Sequence, residues 1–435
     1  MLAAMSTAPL PSSSQATAVP RDRGDACPGT LRLHAADDGA LARIRLPGGV
    51  LTVPQASVLL AAARERGDGA LYLTSRGNVQ LRGLPDGCGA ELAAELNAAG
   101  LLPSYGHERV RNIVASPLSG LDGRGFWDVR NWPAALDAEL CGSAAARELS
   151  GRFLFALDDG RGDVAALGAD LTVRAGAGGG AQLGAGASDE ALSVSAEDAP
   201  RAALLAAEVF LELAREGGAP VWRVAELPVP PDELTRAIRE RLAARGIAAE
   251  PVARDRATTG PPPPGAVGSA LVVHAPLGRL TADQWLALTE TAAGAGDGEL
   301  RLTPWRGAVV PVRGLGPRDA ADALRGLAGT GLVTGPESPW LRVGACIGSP
   351  GCAKSRSDVR ADAARALSAA GRSPLPLYWS GCERRCGRPP GDRIDAVAAP
   401  DGGYHLTTTG PRQAPRTAFL EDPSRLAAAL AAIAP

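Results

Sequence analysis

The chain has 435 residues, 45% of them apolar and 21% charged, with a net charge of −2. That composition can fill several packed cores, and it excludes both a disordered polyelectrolyte and an overall basic field for nucleic acid. No apolar run approaches the roughly 20 residues of a membrane span. Seven cysteines are an odd number. In a chain read as cytoplasmic, without an export signal, they are expected to stay reduced and open to metal. Of 45 basic side chains only Lys354 is a lysine, so an anion site here must be built mainly from arginine, whose planar fork grips carboxylates bidentately.

Residues 1–25 are rich in Ala, Ser and Pro and read as a disordered leader. An internal repeat follows. Leu51-Thr52-Val53-Pro54-Gln55 opens an apolar-periodic helix, and a Gly-Asp-Gly turn then leads into the strand 70–74. Leu280-Thr281-Ala282-Asp283-Gln284 opens a second such helix, leading through Gly296-Asp297-Gly298 to the strand 299–303. Each copy has an arginine just past its threonine, Arg76 and Arg306, and an Arg-Gly-Leu at 82–84 or 313–315. The shared punctuation predicts two homologous α+β half-domains, over 26–100 and 269–335, related by an approximate two-fold.

Between them, 101–255 reads as an α/β domain. Residues 152–174 alternate strand-like runs with Asp-Asp-Gly and Gly-Ala-Asp turns, which predicts hairpins, and 176–186 reads as a flexible or hairpin-tip stretch. Amphipathic helices are expected at 199–216 and 231–245. The segment 256–268, with four consecutive prolines at 261–264, reads as a linker. The final section, 336–435, carries the cysteine motif.

That motif is Cys346-Ile-Gly-Ser-Pro-Gly-Cys352 followed by Cys382-Glu-Arg-Arg-Cys386. Four thiolates from two glycine-flanked loops suit a 4Fe–4S cluster, while a structural zinc, which favours tighter knuckles, stays open as an alternative. A helix expected over 353–370 would put Cys352 at its N-terminus, where thiolate is favoured. Cys27, Cys88 and Cys141 read as structural or incidental. His34, His107, His274 and His405 are scattered without metal-ligand spacing and read as core or surface residues.

On these motifs the chain resembles the sulfite/nitrite reductase superfamily. The likeness rests on C-x5-C … C-x3-C, the duplicated half-domain, Thr74-Ser75-Arg76 at a strand end, and Arg109-Val110-Arg111-Asn112. Within the superfamily it looks most like the precorrin-3B synthases, through Ala26-Cys27-Pro28-Gly29, Val110 to Leu118, and Leu302-Thr303-Pro304-Trp305-Arg306. The reductases carry a Lys-Phe-Lys triplet near the sirohaem. Here the matching residues are Arg152-Phe153-Leu154, which puts proton delivery to a small oxyanion in doubt.

The resemblance implies duplicated ferredoxin-like half-domains with two reductase-like α/β domains that bind cluster and tetrapyrrole. It implies a 4Fe–4S cluster on Cys346, Cys352, Cys382 and Cys386, and a further non-haem iron whose ligands the sequence does not reveal. The expected activity is O2-dependent conversion of precorrin-3A to precorrin-3B, by C20 hydroxylation and γ-lactone formation. An external donor would supply electrons, either NAD(P)H through a reductase or a ferredoxin. The alternative is a sirohaem-dependent sulfite or nitrite reductase. A site for a macrocycle fringed with carboxylates needs arginines around a flat apolar face. Arg76, Arg111, Arg152 and Arg306 are the candidates, with Arg82 and Arg109 behind them. Trp305 is expected either to line that pocket or to fill a core.

Overall fold

The computed structural model describes residues 25, 27–218, 220–389, 391–410 and 414–433, so the expected leader lies, apart from Asp25, outside the described residues. The two repeats form two five-stranded sheets that exchange a strand. The first runs His34–Ala36, Gly39–Ile44, Val79–Leu84, Leu71–Leu73, and then Arg279–Leu280 from the second repeat. The second runs Gly265–Val267, Ala270–His274, Gly307–Pro311, Glu299–Leu302, and then Val50–Thr52 from the first. Leu280 pairs with Leu71, and Leu51 with Leu300. This reciprocal exchange produces the expected pseudo-two-fold relation.

The threonines of the repeat are helix caps. Thr52 and Thr281 each accept from the backbone N–H of the glutamine three residues on, and that glutamine reaches back to the cap, forming a full capping box at Val53–Arg66 and Ala282–Ala295. The same glutamines tie each helix to its half-domain, Gln55 donating to Ala99 O and Gln284 to Thr330 O. Where the helices meet, the fully buried Trp285 donates from its indole N–H to Ala56 O at 2.9 Å. A residue larger than alanine at 56 would displace the indole.

The strand register corrects the alignment of the arginines. Val309 and Ala308 pair with Arg301 and Leu302 as Gln80 and Val79 pair with Tyr72 and Leu73. Thr74 therefore corresponds to Thr303, Arg76 to Trp305, and Gly77 to Arg306. Gly77 has φ +67° and Arg306 φ +60°, so the arginine holds a left-handed conformation that its counterpart meets with glycine. The two Arg-Gly-Leu triplets are not equivalent either. Residues 82–84 lie inside a strand, whereas 313–315 follow the end of theirs at Pro311.

The middle domain is a six-stranded sheet in the order Glu250–Ala253, Glu190–Ser195, Gly180–Ala185, Leu171–Ala175, Phe155–Asp158, Ile113–Ala115. Helices Ala199–Glu216 and Pro231–Ala244 form as expected and bury their apolar faces in this domain's core. The hairpin expected within 152–174 is corrected: Phe155–Asp158 and Leu171–Ala175 are parallel. The fully buried Asp158 carboxylate accepts from the N–H groups of Gly160, Gly162 and Ala165, so the chain is drawn inward after the strand instead of turning straight back. Much of 176–186 is strand, with its tip at 176–179.

In the last domain Val343–Ala345, Leu377–Ser380 and Arg393–Ala398 are parallel, and Tyr404–Thr409 and Thr417–Leu420 extend the sheet antiparallel. Cys346 immediately follows the first of these strands and Gly381-Cys382 the second. Both cysteine loops thus leave the same carboxyl end of a parallel pair, where open α/β sheets place their ligands. No helix among the described residues is long and apolar enough to cross a membrane.

Candidate cluster and macrocycle site

The cysteine loops are held by close backbone approach. Cys346 N donates to Trp379 O, Arg356 N to Gly381 O, and Gly381 N to Cys346 Sγ at 3.3 Å. A Cβ at Gly381 would strike the Ser355 side chain, so only glycine lets the two loops meet. Burial raises the Cys346 thiol pKa. The N–H groups of Gly381 and Gly348 oppose that rise, and Cys386 and Cys382 are near enough that charge on them adds to it. The helix expected over 353–370 is corrected to Val359–Arg365 and Leu367–Gly371. Asp358 caps its start by accepting from Arg360 N and Ala361 N. Cys352 therefore sits in the loop, six residues before that cap, without the helix-terminal environment.

Cys346, Cys352 and Cys386 line one cavity of about 640 Å³ between the last domain and the two half-domains, mainly the first. Its other walls are strongly basic: Arg43, Arg82, Arg306, Arg360, Arg384 and Lys354 line it, against Asp37 as the single carboxylate among the described residues. Arg82 is held by Asp38 through two bonds, at 2.8 and 2.7 Å, and donates to Gly351 O at 2.9 Å, clamping the first cysteine loop to the first half-domain. Arg360 donates to Leu277 O at 2.8 Å and lies over the Tyr72 ring, 5.6 Å from its centroid. Arg43 bonds the Gln80 amide oxygen once that amide is turned toward it, and among the described residues no carboxylate lies within ion-pair reach. Burial lowers the pKa of both Arg43 and Arg360. These are cations held away from water at some cost, which an incoming carboxylate would offset.

Of the four candidate arginines, only Arg306 lines this cavity. Arg76 donates to Gly151 O at 3.1 Å and Arg152 O at 2.8 Å, tying the half-domain to the middle domain. Its pKa falls to about 10, through burial first and Arg223 second. Arg111 is the clearest departure from expectation. It is 3% exposed, grips Asp137 at 2.6 and 2.7 Å, and donates to Leu101 O. That is a structural ion pair, buried on the arginine side and partly buried on the carboxylate side. Arg152 lies over Trp222, 4.7 Å from the ring centroid. Arg109 donates to Asp25 O. Arg43, Arg360 and Arg384 were not anticipated. Arg43 had a legible signal, an arginine at a strand position between apolar residues in Ala40-Leu41-Ala42-Arg43-Ile44. Arg384 had its place between Cys382 and Cys386 in the second cysteine loop, and Arg360 had no such signal.

A second cavity of about 430 Å³ adjoins the first, and Ser75, Arg306, Tyr378 and Gly387 face both. Its walls are mainly apolar and aromatic, and the proline run 261–264 forms one of them instead of spanning free space. Trp305 both lines this cavity and packs against the small core of Val114, Leu154, Ala156, Val164 and Ala169. Leu154 is 4% exposed inside that core. His274 also faces the cavity, while His107 is fully buried between the Ser104 hydroxyl and Ser143 O, a structural role.

The sequence profile of the nitrite/sulfite reductase ferredoxin-like half domain matches residues 34–99 and 264–329, the two strand-exchanged units. A precorrin-3B synthase from Sinorhizobium sp is 28% identical over 427 residues, covering 96% of this chain and 90% of that protein. The ferredoxin–nitrite reductase of Synechococcus elongatus is 29% identical over 388 residues, covering 80% and 74%. Among solved structures, the NirA protein of Mycobacterium tuberculosis superposes with a TM-score of 0.71 over 89% of this chain and 79% of its own, at 18% identity, a likeness of fold. The chain thus carries two copies of the nitrite/sulfite reductase ferredoxin-like half domain and is similar along most of its length to a precorrin-3B synthase and to nitrite reductases.

Proposed function

We propose that this chain is an oxidoreductase that converts precorrin-3A to precorrin-3B with O2 and an external electron donor, in a cytoplasmic pathway of cobalamin synthesis. The observation that carries the reading is the likeness to a precorrin-3B synthase over 96% of the chain, on a fold whose basic cavity abuts three cysteines of the two loops. The thiol donors and the N–H groups aimed at Cys346 Sγ fit an iron–sulfur group on Cys346, Cys352, Cys382 and Cys386. Among the described residues no three or more His, Cys, Asp or Glu side chains stand at the spacing of a single ion. The same observation leaves the further non-haem iron without a ligand set among the described residues, and the reading does not depend on it.

When bound, the cluster would supply single electrons. The chain's own residues have other tasks. Arg43, Arg360, Arg384 and Lys354 would hold the peripheral carboxylates of the macrocycle by charge-assisted hydrogen bonds. Arg306, between the two cavities, would meet a carboxylate at the boundary. Trp305 and the prolines, which line the adjoining apolar cavity, would shield the boundary at Arg306 from water. Reduction of sulfite or nitrite consumes many protons. Leu154, buried among apolar side chains, supplies none, which weighs against the nitrite reductase alternative despite its comparable identity.

The test pairs two assays on one anaerobically prepared sample. The cluster-loaded protein is given precorrin-3A, reductant and air, and separately nitrite or sulfite with the same reductant. The proposal expects conversion of the tetrapyrrole and negligible anion reduction. Anion turnover with an unchanged tetrapyrrole would overturn it.

A further inference from the structure

The duplication has been used asymmetrically. By strand register Arg43 corresponds to Val272, Arg45 to His274 and Arg76 to Trp305. Three cationic positions of the first half-domain are thus two apolar residues and an imidazole in the second. The 430 Å³ cavity built on the second half-domain is accordingly far less charged than the first: among the described residues Arg306 and Arg342 are the arginines that face it, with no carboxylate or thiol.

Within it, His274 has one defined hydrogen bond. Nδ1 lies 3.1 Å from Trp305 O. A carbonyl can only accept, so Nδ1 carries the proton and Nε2 presents a lone pair. Among the described residues Nε2 has no partner and is buried. Burial first, with Arg306 adding to it, lowers the pKa of this imidazole to about 4, so it is neutral under ordinary conditions. A buried acceptor without a donor is rare unless something else fills the place. A bare metal ion would find only this one protein ligand in the cavity, and a cation would meet two arginines. A hydrogen-bond donor on an uncharged molecule meets neither objection.

We infer that this cavity is a second binding compartment for a flat, uncharged heteroaromatic ring system bearing an N–H donor, which hydrogen-bonds His274 Nε2 and lies against Trp305. The volume admits two or three fused rings and is smaller than that of the basic cavity, from which the compartment also differs in its lining. It meets that cavity only at Ser75, Arg306, Tyr378 and Gly387. Tyr378 donates to Cys386 O at 2.5 Å, which sets a ring held here beside the second cysteine loop. The inference does not rest on the proposed reaction, because it concerns binding alone.

The probes are benzimidazole and its N-methyl derivative, titrated into the cluster-loaded full chain by calorimetry at mildly alkaline pH, where both are uncharged. Benzimidazole is expected to bind, and loss of the N–H in the methyl derivative to weaken binding about tenfold. In His274→Phe, which keeps an aromatic ring but removes the acceptor, the two probes should bind equally. The comparison on the unaltered protein keeps the test valid if that variant does not fold. Equal binding of both probes to the unaltered protein, failure of benzimidazole to bind, or a difference that persists in His274→Phe would overturn the inference.

Discussion

Replacing Arg43 by methionine separates a binding role from a structural one. Arg43 sits on strand Gly39–Ile44, faces the basic cavity, and pairs with a neutral amide instead of a carboxylate. Its lowered pKa comes first from desolvation, so the folded state carries an incompletely compensated cation. Methionine keeps most of the volume and removes the charge. A hydrogen bond to a charged group contributes about 1.5–3 kcal/mol, so macrocycle affinity should fall by roughly ten- to 150-fold. Removing a buried charge that lacks an ionic partner should leave the melting temperature unchanged or slightly raised. Affinity is read from the change in tetrapyrrole absorption on anaerobic titration, and stability from a thermal melt of the same sample. A lowered melting temperature with unchanged affinity would refute the reasoning and make Arg43 part of the scaffold.

Other consequences follow from the same geometry. Substituting Cys346, Cys352, Cys382 or Cys386 by alanine should abolish bound iron and sulfide, whereas Cys88→Ala and Cys141→Ala should retain both, as metal and sulfide assays will report. Trp285→Ala removes a fully buried indole and its bond to Ala56 O, and should destabilise the chain by about 3–5 kcal/mol in denaturant titrations. Burial, with Asp158 adding to it, raises the Asp163 pKa to about 7. The folded state therefore holds a proton that the unfolded chain releases near the ordinary value of 3.8. Stability should fall as pH rises from that value toward 7, then level off. Asp163→Asn should flatten this slope in melts across the range, and an unchanged slope would contradict it. Arg111→Met, in contrast to Arg43→Met, should lower stability by about 1–3 kcal/mol, because it leaves the partly buried Asp137 carboxylate without its partner.

The fold was legible where the sequence carries local chemistry. Thr52 with Gln55 and Thr281 with Gln284 mark helix starts by hydrogen bonds within four residues, and those helices formed where expected. The strand exchange was not legible, because Val50–Thr52 and Arg279–Leu280 are short and pair with partners more than 200 positions away. The parallel arrangement of 155–158 and 171–175 was hidden for a related reason. Asp158 spends its side chain on backbone N–H groups of its own loop, a use no spacing rule distinguishes from a turn. At the site, the cysteine loops could be read from spacing, but the arginines could not. Arg76 and Arg111 occupy family motifs, yet carbonyls and Asp137 take their guanidinium groups. Arg43 and Arg360 face the cavity because of the sheet and loop that carry them. In a chain with a single lysine, arginine serves both scaffold and site, and only tertiary partners tell the two apart.

The measurement that bears most directly on the proposed reaction uses isotopically heavy O2. The cluster-loaded protein, precorrin-3A and a reductant are incubated under the labelled gas, and the tetrapyrrole product is analysed by mass. A monooxygenase places one labelled oxygen atom in the product, and the Cys386→Ala variant gives none. Product formed without label, or label-independent reduction of nitrite or sulfite by the same sample, would contradict the account.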